Sequence, residues 1–384
     1  MLARLKEDAS LCLHWVCSMV TGFLPRKNHC IVFCNYDGRG YGDNLAPIAD
    51  EIRSRKLNYE LVWLVKDLGI DVPSWVRKIA RGWFREKACL SRAKIVICNQ
   101  KGLYYHKRKG NYYLQTWHGD MPFKYIEAEE GSNLARYYIL RSQRDSKRTN
   151  FILSGSSFFS SVAKRCFWYP ESCQVLEYGI PRNDIFFRCS QDEVAVFRKR
   201  YFGSTDVRVA FYAPTFRERL PNENCRIDAK KLKDACQSRF GGKWIVVVRL
   251  HPNVADKAGM FEYGDGVVNG TRIDDAQMLS LAADVLITDY SSIVEEFVIQ
   301  RKPIFLYAPD LDEYVTEERK LRELYFRLPF PRCRTEDALQ KAIVDFDDKA
   351  YQTGLGDFVE RDYRVFDDGH ASERVVDLIE KLMR

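Results

Sequence analysis

The sequence has no apolar run long enough to cross a bilayer, no Cys-x-x-Cys pair, no dinucleotide fingerprint, no internal repeat and no low-complexity tract. A membrane-spanning helix needs about 20 apolar residues, and the one candidate, LCLHWVCSMVTGFL over 11–24, has 14. Glu7 and Asp8 stand where a secretory signal would carry positive charge, and no small-residue cleavage site follows. Two readings fit 11–24: a helix lying in a membrane interface with Trp15 and Phe23 as anchors, or a helix packed on the protein body. The 12 cysteines lack zinc spacing, and Cys30, Cys34 and Cys98 sit in apolar runs where a thiol acts as a small core hydrophobe. This reads as a reducing compartment without disulfides or zinc. No acidic cluster of the kind magnesium requires stands out, so no cofactor and no obligatory metal is expected.

With 46% hydrophobic and 29% charged residues, the composition excludes global disorder, and 384 residues suffice for two domains. A net charge of +7 suits an anionic ligand or an anionic membrane face; no nucleic-acid partner is expected. The dominant pattern is strand, polar turn, helix. It is plainest over 283–313, where an apolar strand ends in Thr288-Asp289-Tyr290-Ser291-Ser292, a helix follows, and Lys302-Pro303 leads into a second strand. Ser292 and Glu295 have capping-box spacing, and the same helix start suits a phosphate.

Other strands also end in polar residues: Thr215 and Arg217 after 208–212, Arg249, His251 and Pro252 after 243–249, Asp310 and Asp312 after 304–307. Ligands of open parallel sheets bind outside such ends. In the first half a strand over 30–35 enters a turn containing Gly38, Gly40 and Gly42; Asp43 breaks the dinucleotide pattern, but the loop still admits a close backbone approach. A strand over 112–116 leads into Trp117-His118-Gly119-Asp120, and Asp368-Gly369-His370-Ala371-Ser372 opens the last helix, a further anion-site candidate. The segment 75–85 mixes four basic residues with three aromatics, as either a membrane-surface helix or a surface helix with aromatic packing would. The turn-rich 177–184 reads as an interdomain crossing.

Taken in order, residues 38–44, Gln115-Thr116-Trp117-His118-Gly119, Gly179-Ile180-Pro181-Arg182-Asn183-Asp184, Tyr212-Ala213-Pro214-Thr215-Phe216-Arg217, Arg249-Leu250-His251-Pro252, Thr288 to Ser292, Asp310-Leu311-Asp312-Glu313-Tyr314 and Asp368 to Ser372 resemble the CDP-glycerol glycerophosphotransferase family, the teichoic-acid primases and polymerases of bacterial cell envelopes. The resemblance implies an α/β protein of GT-B architecture, two Rossmann-like domains facing a central cleft. The implied division is an N-terminal amphipathic, membrane-associated segment (1–28), an acceptor domain (29–188), a CDP-donor domain (189–366) and a C-terminal helix (367–384). It implies transfer of glycerol phosphate from CDP-glycerol to a hydroxyl of a lipid-linked glycan or polyol-phosphate acceptor, releasing CMP, at the cytoplasmic face of an anionic membrane, for a teichoic-acid-like or capsular polymer.

His118 matches the family's general base, and His251 and the hydroxyls after Asp289 match its phosphate contacts. The expected site is then His118, His251 and Asp289 for catalysis, with Asp289 orienting a histidine. Thr215, Arg217, Arg249, Ser291, Ser292, Asp312, His370 and Ser372 are expected at the donor, and Gly38, Gly40, Gly119 and Asp120 near the acceptor. Two departures stand out: only the short run at 11–24 where family polymerases often carry a helical N-terminal extension, and Arg319-Lys320 where the family has an Arg-Gly pair. The alternatives are a CDP-ribitol or nucleotide-sugar donor on the same fold, and a catalytically degenerate membrane-bound interaction protein.

Overall fold

Strands that are apolar at every position need cover on both faces, and the first half of the chain provides it. In β1 (Lys27–Cys34) the side chains of Ile31 and Phe33 enter one core, and those of Cys30, Val32 and Cys34 enter another on the opposite face. The helix Leu45–Ser54 closes the first face with Leu45, Ile48, Ala49 and Ile52, one stripe at helical spacing. The helix Phe84–Arg92 closes the second with Cys89 and Leu90. These features come from a computed structural model that describes residues 13–14, 16–131, 134–250 and 261–384.

Seven parallel strands form this first sheet: β1, β2 (Glu60–Val65), β3 (Arg77–Ala80), β4 (Ala93–Cys98), β5 (Tyr112–Gln115), β6 (Phe151–Leu153) and β7 (Gln174–Leu176), in the order β3-β2-β1-β4-β5-β6-β7. A second parallel sheet has six: β8 (Val207–Ala213), β9 (Lys243–Val248), β10 (Val267–Asn269), β11 (Val285–Thr288), β12 (Ile304–Tyr307) and β13 (Arg332–Cys333), in the order β10-β9-β8-β11-β12-β13. Both repeat the Rossmann-like order in which the winding reverses beside the first strand. That reversal lies between β1 and β4 in one sheet and between β8 and β11 in the other, and crevices open there at the carboxyl ends.

The chain divides into two compact units. The first holds the described residues up to Asp120, Ile126–Asp184 and Phe366–Arg384; the second holds Met121–Tyr125 and Ile185–Val365. The crossing falls where the turn-rich 177–184 ends. The C-terminal helix, Ala371–Met383, is not a separate segment: Val375, Val376 and Ile379 enter the first unit's core, and Arg55 pairs with Asp377 and Glu380 at 2.5 and 3.1 Å.

The segment expected as a helix over 75–85 is instead the edge strand β3 followed by a turn, with helix beginning at Phe84. Ile79 packs on the core and Arg77 pairs with Glu60 of β2 at 2.7 Å, so pairing with β2 decides its conformation. Arg77 and Lys78 also guard the sheet edge, a usual place for charge. The described part of 11–24 is helical over 13–14 and 16–21, with Leu13, Val16, Met19, Val20 and Phe23 exposed. No helix among the described residues is long and apolar enough to cross a membrane. No disulfide joins any of the 11 described cysteines, most of which are buried.

Candidate active site

The first crevice is built from amides. Asn99, after β4, donates from Nδ2 to Asn35 Oδ1 at 2.7 Å across the switch point and to Asp43 at 3.1 Å, and its Oδ1 accepts from the Tyr36 amide at 2.8 Å. Just past β5, Trp117 takes a left-handed backbone (φ 55°) and both of its backbone groups are held: its amide donates to Gln115 Oε1 at 3.0 Å, its carbonyl accepts from Asn44 Nδ2 at 3.0 Å. Strain of this kind persists only where the surroundings over-determine it. It turns the chain so that His118 follows with its ring 4.1 Å from the indole and 5.5 Å from Tyr36.

His118 Nδ1 lies 2.7 Å from the Asn99 carbonyl. A carbonyl only accepts, so Nδ1 carries the proton and Nε2 keeps its lone pair. Burial lowers the His118 pKa below the ordinary imidazole value; the Asn99 carbonyl and Asp43 act to raise it, Arg182 to lower it. The ring is therefore neutral near pH 7, as a general base must be. Asp43 and Arg182 form a buried pair at 3.0 Å, and the same Arg182 nitrogen donates to the His118 carbonyl at 3.0 Å. Burial would raise Asp43, but Arg182 and the Asn44 amide overcome it and hold the carboxyl below its usual range.

The loop residues expected near an acceptor have local duties. A Cβ on Gly38 (φ 91°) would stand 2.7 Å from the Lys66 amide, and the Gly40 carbonyl accepts from Asn35 and Trp63, each at 2.9 Å. Gly119 is half-buried beside the base. Asp120 is buried and accepts from the Gly155 amide at 2.8 Å, pinning the turn after β6.

The second crevice is built from charges. Arg217 is 1% exposed, donates two bonds to Asp310 (2.8 and 2.9 Å) and from Nη1 reaches Asp289 (2.8 Å) and the Thr215 carbonyl (2.6 Å). Asp289, after β11, also accepts from the Thr215 amide at 2.9 Å across the switch point and from the Tyr290 amide at 2.5 Å. Its described partners are thus backbone amides and an arginine; His251, a histidine it could orient, lies outside the described residues. Burial would raise Asp310; the Arg217 guanidinium more than offsets this and holds the carboxyl low. Thr215 Oγ1 is buried without a partner among the described residues, and Ser291 and Ser292 are half-buried in the turn. The capping box does not form: the helix is Val294–Ile299, Ile293 precedes it, and the Glu295 amide bonds the Ser292 carbonyl rather than its hydroxyl.

Several expected donor residues are engaged elsewhere. Arg249 donates to the carbonyls of Gly270 (3.0 Å) and Ile273. Asp312 is exposed and paired with Arg334 at 2.5 Å. The helix start at His370 already holds an anion, since Asp184 accepts from the Ala371 and Ser372 amides at 2.9 and 2.8 Å. His370 itself is exposed against Glu373, and both it and Ser372 belong to the first unit, not with the donor residues of the second. His251 lies outside the described residues.

Residues 16–381 match the family described as CDP-glycerol:poly(glycerophosphate) glycerophosphotransferase. The chain belongs to this family. A teichoic acid poly(glycerol phosphate) polymerase of Staphylococcus epidermidis is 27% identical over 373 residues, 92% of this chain and 51% of that protein. A teichoic acid glycerol-phosphate transferase of Staphylococcus aureus is 28% identical over 379 residues, covering 93% of this chain and 94% of its own length. The chain thus spans about half the length of the first relative and nearly all of the second. A solved structure of the wall teichoic acid polymerase TagF superposes with a TM-score of 0.82 and 25% identity over 99% of this chain and 97% of that one. The fold is therefore GT-B, as expected.

In this member of the family the pattern of strand ends missed Asn99, Asp43 and Arg182, which act on His118 together with its burial. It also missed Lys124. The short stretch Met121–Tyr125 belongs to the second unit: Arg322 donates its amide to the Phe123 carbonyl at 2.7 Å, and the Tyr125 amide donates to the Lys320 carbonyl at 3.1 Å. This sets the Lys124 amine 5.8 Å from the centre of the Tyr314 ring, with no ion pair among the described residues. Burial lowers its pKa to about 8, Asp289 acting to raise it and Arg319 and Arg217 to lower it. Its nearness to the histidine motif in sequence was the only available signal.

Proposed function

We propose that the protein transfers glycerol phosphate from CDP-glycerol to a hydroxyl of a lipid-linked acceptor, releasing CMP, in the assembly of a teichoic-acid-like or capsular polymer. The observation that carries this reading is the state of His118: neutral, tautomer fixed by the Asn99 carbonyl, with Nε2 uncommitted among the described residues. An alcohol is a weak nucleophile at neutral pH. As its oxygen bonds to the phosphorus that bears the glycerol, its proton passes to Nε2, the P–O bond to the departing phosphate breaks, and CMP leaves with those electrons. A positioned base of this kind contributes about 100- to 10,000-fold.

Charge gathers on the phosphoryl oxygens and on CMP, where fixed donors act most. In the second unit these are Lys124, the hydroxyls of Ser291 and Ser292, and the buried Thr215 Oγ1. Arg217, Asp289 and Asp310 position that loop. No resident metal enters the reaction, and turnover that survives dialysis against EDTA, assayed without added divalent cations, tests this.

The protein works on the cytoplasmic face of an anionic membrane. The exposed apolar residues Leu13, Val16, Val20 and Phe23, with Arg26 and Lys27 just after them, support that placement.

The deciding experiment measures CMP release and product length with a synthetic lipid-linked acceptor, offering CDP-glycerol, CDP-ribitol and UDP-sugars in parallel. CMP release from CDP-glycerol with acceptor extension is expected. Turnover of a UDP-sugar alone, or CDP-ribitol preferred over CDP-glycerol, sinks the donor assignment.

A further inference from the structure

At the edge of the first sheet, away from His118 and its partners, β3 and the helix Phe84–Arg92 enclose a cavity of about 450 Å³. Its floor is apolar, formed by Ile79, Ala80, Phe84 and Cys89. Its rim carries five cations, Lys27, Arg77, Lys78, Arg85 and Arg92, and no lining residue is acidic. Lys27 and Arg77 share a single carboxylate, Glu60, at 2.6 and 2.7 Å. Lys78 donates to the carbonyls of Leu68 and Ile70 at 2.8 and 3.0 Å, and Arg92 to that of Pro25 at 2.8 Å. Carbonyls satisfy those hydrogen bonds but leave the charge uncompensated. Arg85 is exposed and has no ion pair among the described residues.

An apolar floor under an unneutralised cationic rim suits a ligand that is anionic at one end and aliphatic next to it. Phe84 is itself 52% exposed, and Trp83, next to it in the chain, 46%. Trp83 stacks on His14 at 4.4 Å, which ties the start of the helix Phe84–Arg92 to the helical segment whose Leu13, Val16 and Val20 are exposed and which leads to the almost fully exposed Phe23. A charged surface meant only for a soluble anion gains nothing from such a border, whereas an interface of aromatic and basic residues matches a lipid headgroup region.

We infer that this cavity binds an anionic membrane phospholipid, its phosphate on the Lys78, Arg85 and Arg92 side of the rim and its first methylenes on the floor made by Ile79, Ala80 and Phe84. The inference rests on the membrane placement proposed above and goes further, assigning a lipid-specific pocket beside the inserted helix.

The test uses the full chain and two variants, Lys78→Gln/Arg85→Gln in the rim and Val20→Ser/Phe23→Ser in the exposed apolar segment. Each is titrated with monomeric dihexanoyl-phosphatidylglycerol, with inorganic phosphate, and with vesicles of phosphatidylcholine alone or with 30% phosphatidylglycerol. The wild type is expected to bind the short-chain lipid more tightly than phosphate. Each rim charge removed should weaken lipid binding about five-fold, so the double rim variant loses about 25-fold and leaves CMP release from CDP-glycerol to a water-soluble acceptor unchanged. The apolar variant should keep the short-chain lipid and lose the vesicles. Rim variants that bind anionic vesicles and short-chain lipid as the wild type does, or phosphate that binds as tightly as the lipid, overturn the pocket. Wild type that binds the short-chain lipid but neither vesicle overturns the membrane placement alone.

Discussion

At the switch point of the first sheet, neutral amides dominate. Asn35, Asn44 and Asn99 hold the backbone around His118, and an ion pair, Arg182 with Asp43, acts on the ring from the side. At the switch point of the second, a buried arginine and two carboxylates hold each other, and Tyr290 adds a bond to Asp310 at 3.0 Å. Strand order is the same in both places, so topology decides where a crevice opens and not what it does. The amide lattice leaves Nε2 of a neutral imidazole without a partner among the described residues. The ionic lattice uses its arginine to fix a loop, and among the described residues of that unit Lys124 is a buried cation without an ion pair.

The largest expected effect removes the uncommitted group. His118→Ala should lower kcat about 100- to 10,000-fold, roughly 3 to 5.5 kcal/mol in the barrier, with CDP-glycerol affinity by calorimetry changed little. A variant that kept more than a tenth of wild-type turnover would return the first crevice to a structural role.

Next comes the ionic lattice. Arg217→Met leaves two buried carboxylates unpaired, and removing one partner of a buried pair costs about 3–5 kcal/mol, read from urea unfolding at pH 7. The sign follows from Asp310, whose pKa is held low in the fold. Stability of that origin is present above the unfolded carboxylate value, about 3.9, and disappears as pH falls through the lower folded value. The gap between wild type and variant should therefore shrink in acid. A gap that is constant from pH 7 to pH 3 contradicts the electrostatic account.

Lys124→Ala should cost less. A hydrogen bond to a charged group is worth about 1.5–3 kcal/mol, or about ten- to hundred-fold in kcat/KM for CDP-glycerol. Because its pKa is lowered to about 8, its charge is present below that pH and lost above it. The wild-type profile should therefore fall on the alkaline side, and the variant should lose that limb. An unchanged limb in the variant assigns it to another group.

Much of this organisation is legible in the sequence, and the gaps have a physical pattern. Apolar runs over 30–35, 61–65, 94–98, 112–116, 151–153, 208–212, 243–249, 285–288 and 304–307 predict nine strands, and these are the ones inside the two sheets. The four that were not expected, β3, β7, β10 and β13, are the outer strands, with two to four residues each. An edge strand is covered on fewer sides, so its residues need not be apolar, and β3 reads as a basic helix until its pairing with β2 is seen. Site residues divide in the same way. His118 and Asp289 are visible because a polar residue ending an apolar run is conspicuous. Whether a charged group is free depends on partners far away in sequence: Asp310 is 93 residues from Arg217, and Asp184 is 187 from the amide of Ala371. Spacing carries no trace of such pairings, so Arg217 and the helix start at His370 look like open anion sites when each is already occupied.

The smallest effect examines the amide crevice most finely. Asp43 acts to raise the His118 pKa and Arg182 to lower it, while burial sets the overall downward direction. The acid limb of kcat/KM, where the imidazole gains a proton and ceases to be a base, should lie below about pH 6.5. Asp43→Asn removes the raising influence and should move that limb to lower pH; Arg182→Gln removes the lowering one and should move it to higher pH. Each shift should be about one unit or less, because each charge leaves its partner behind to act alone. Both substitutions disturb the same buried pair, so a purely structural role predicts lower rates with both limbs unmoved or moved in one direction. Opposite displacements of the two profiles are the result that only a charge-tuned base produces.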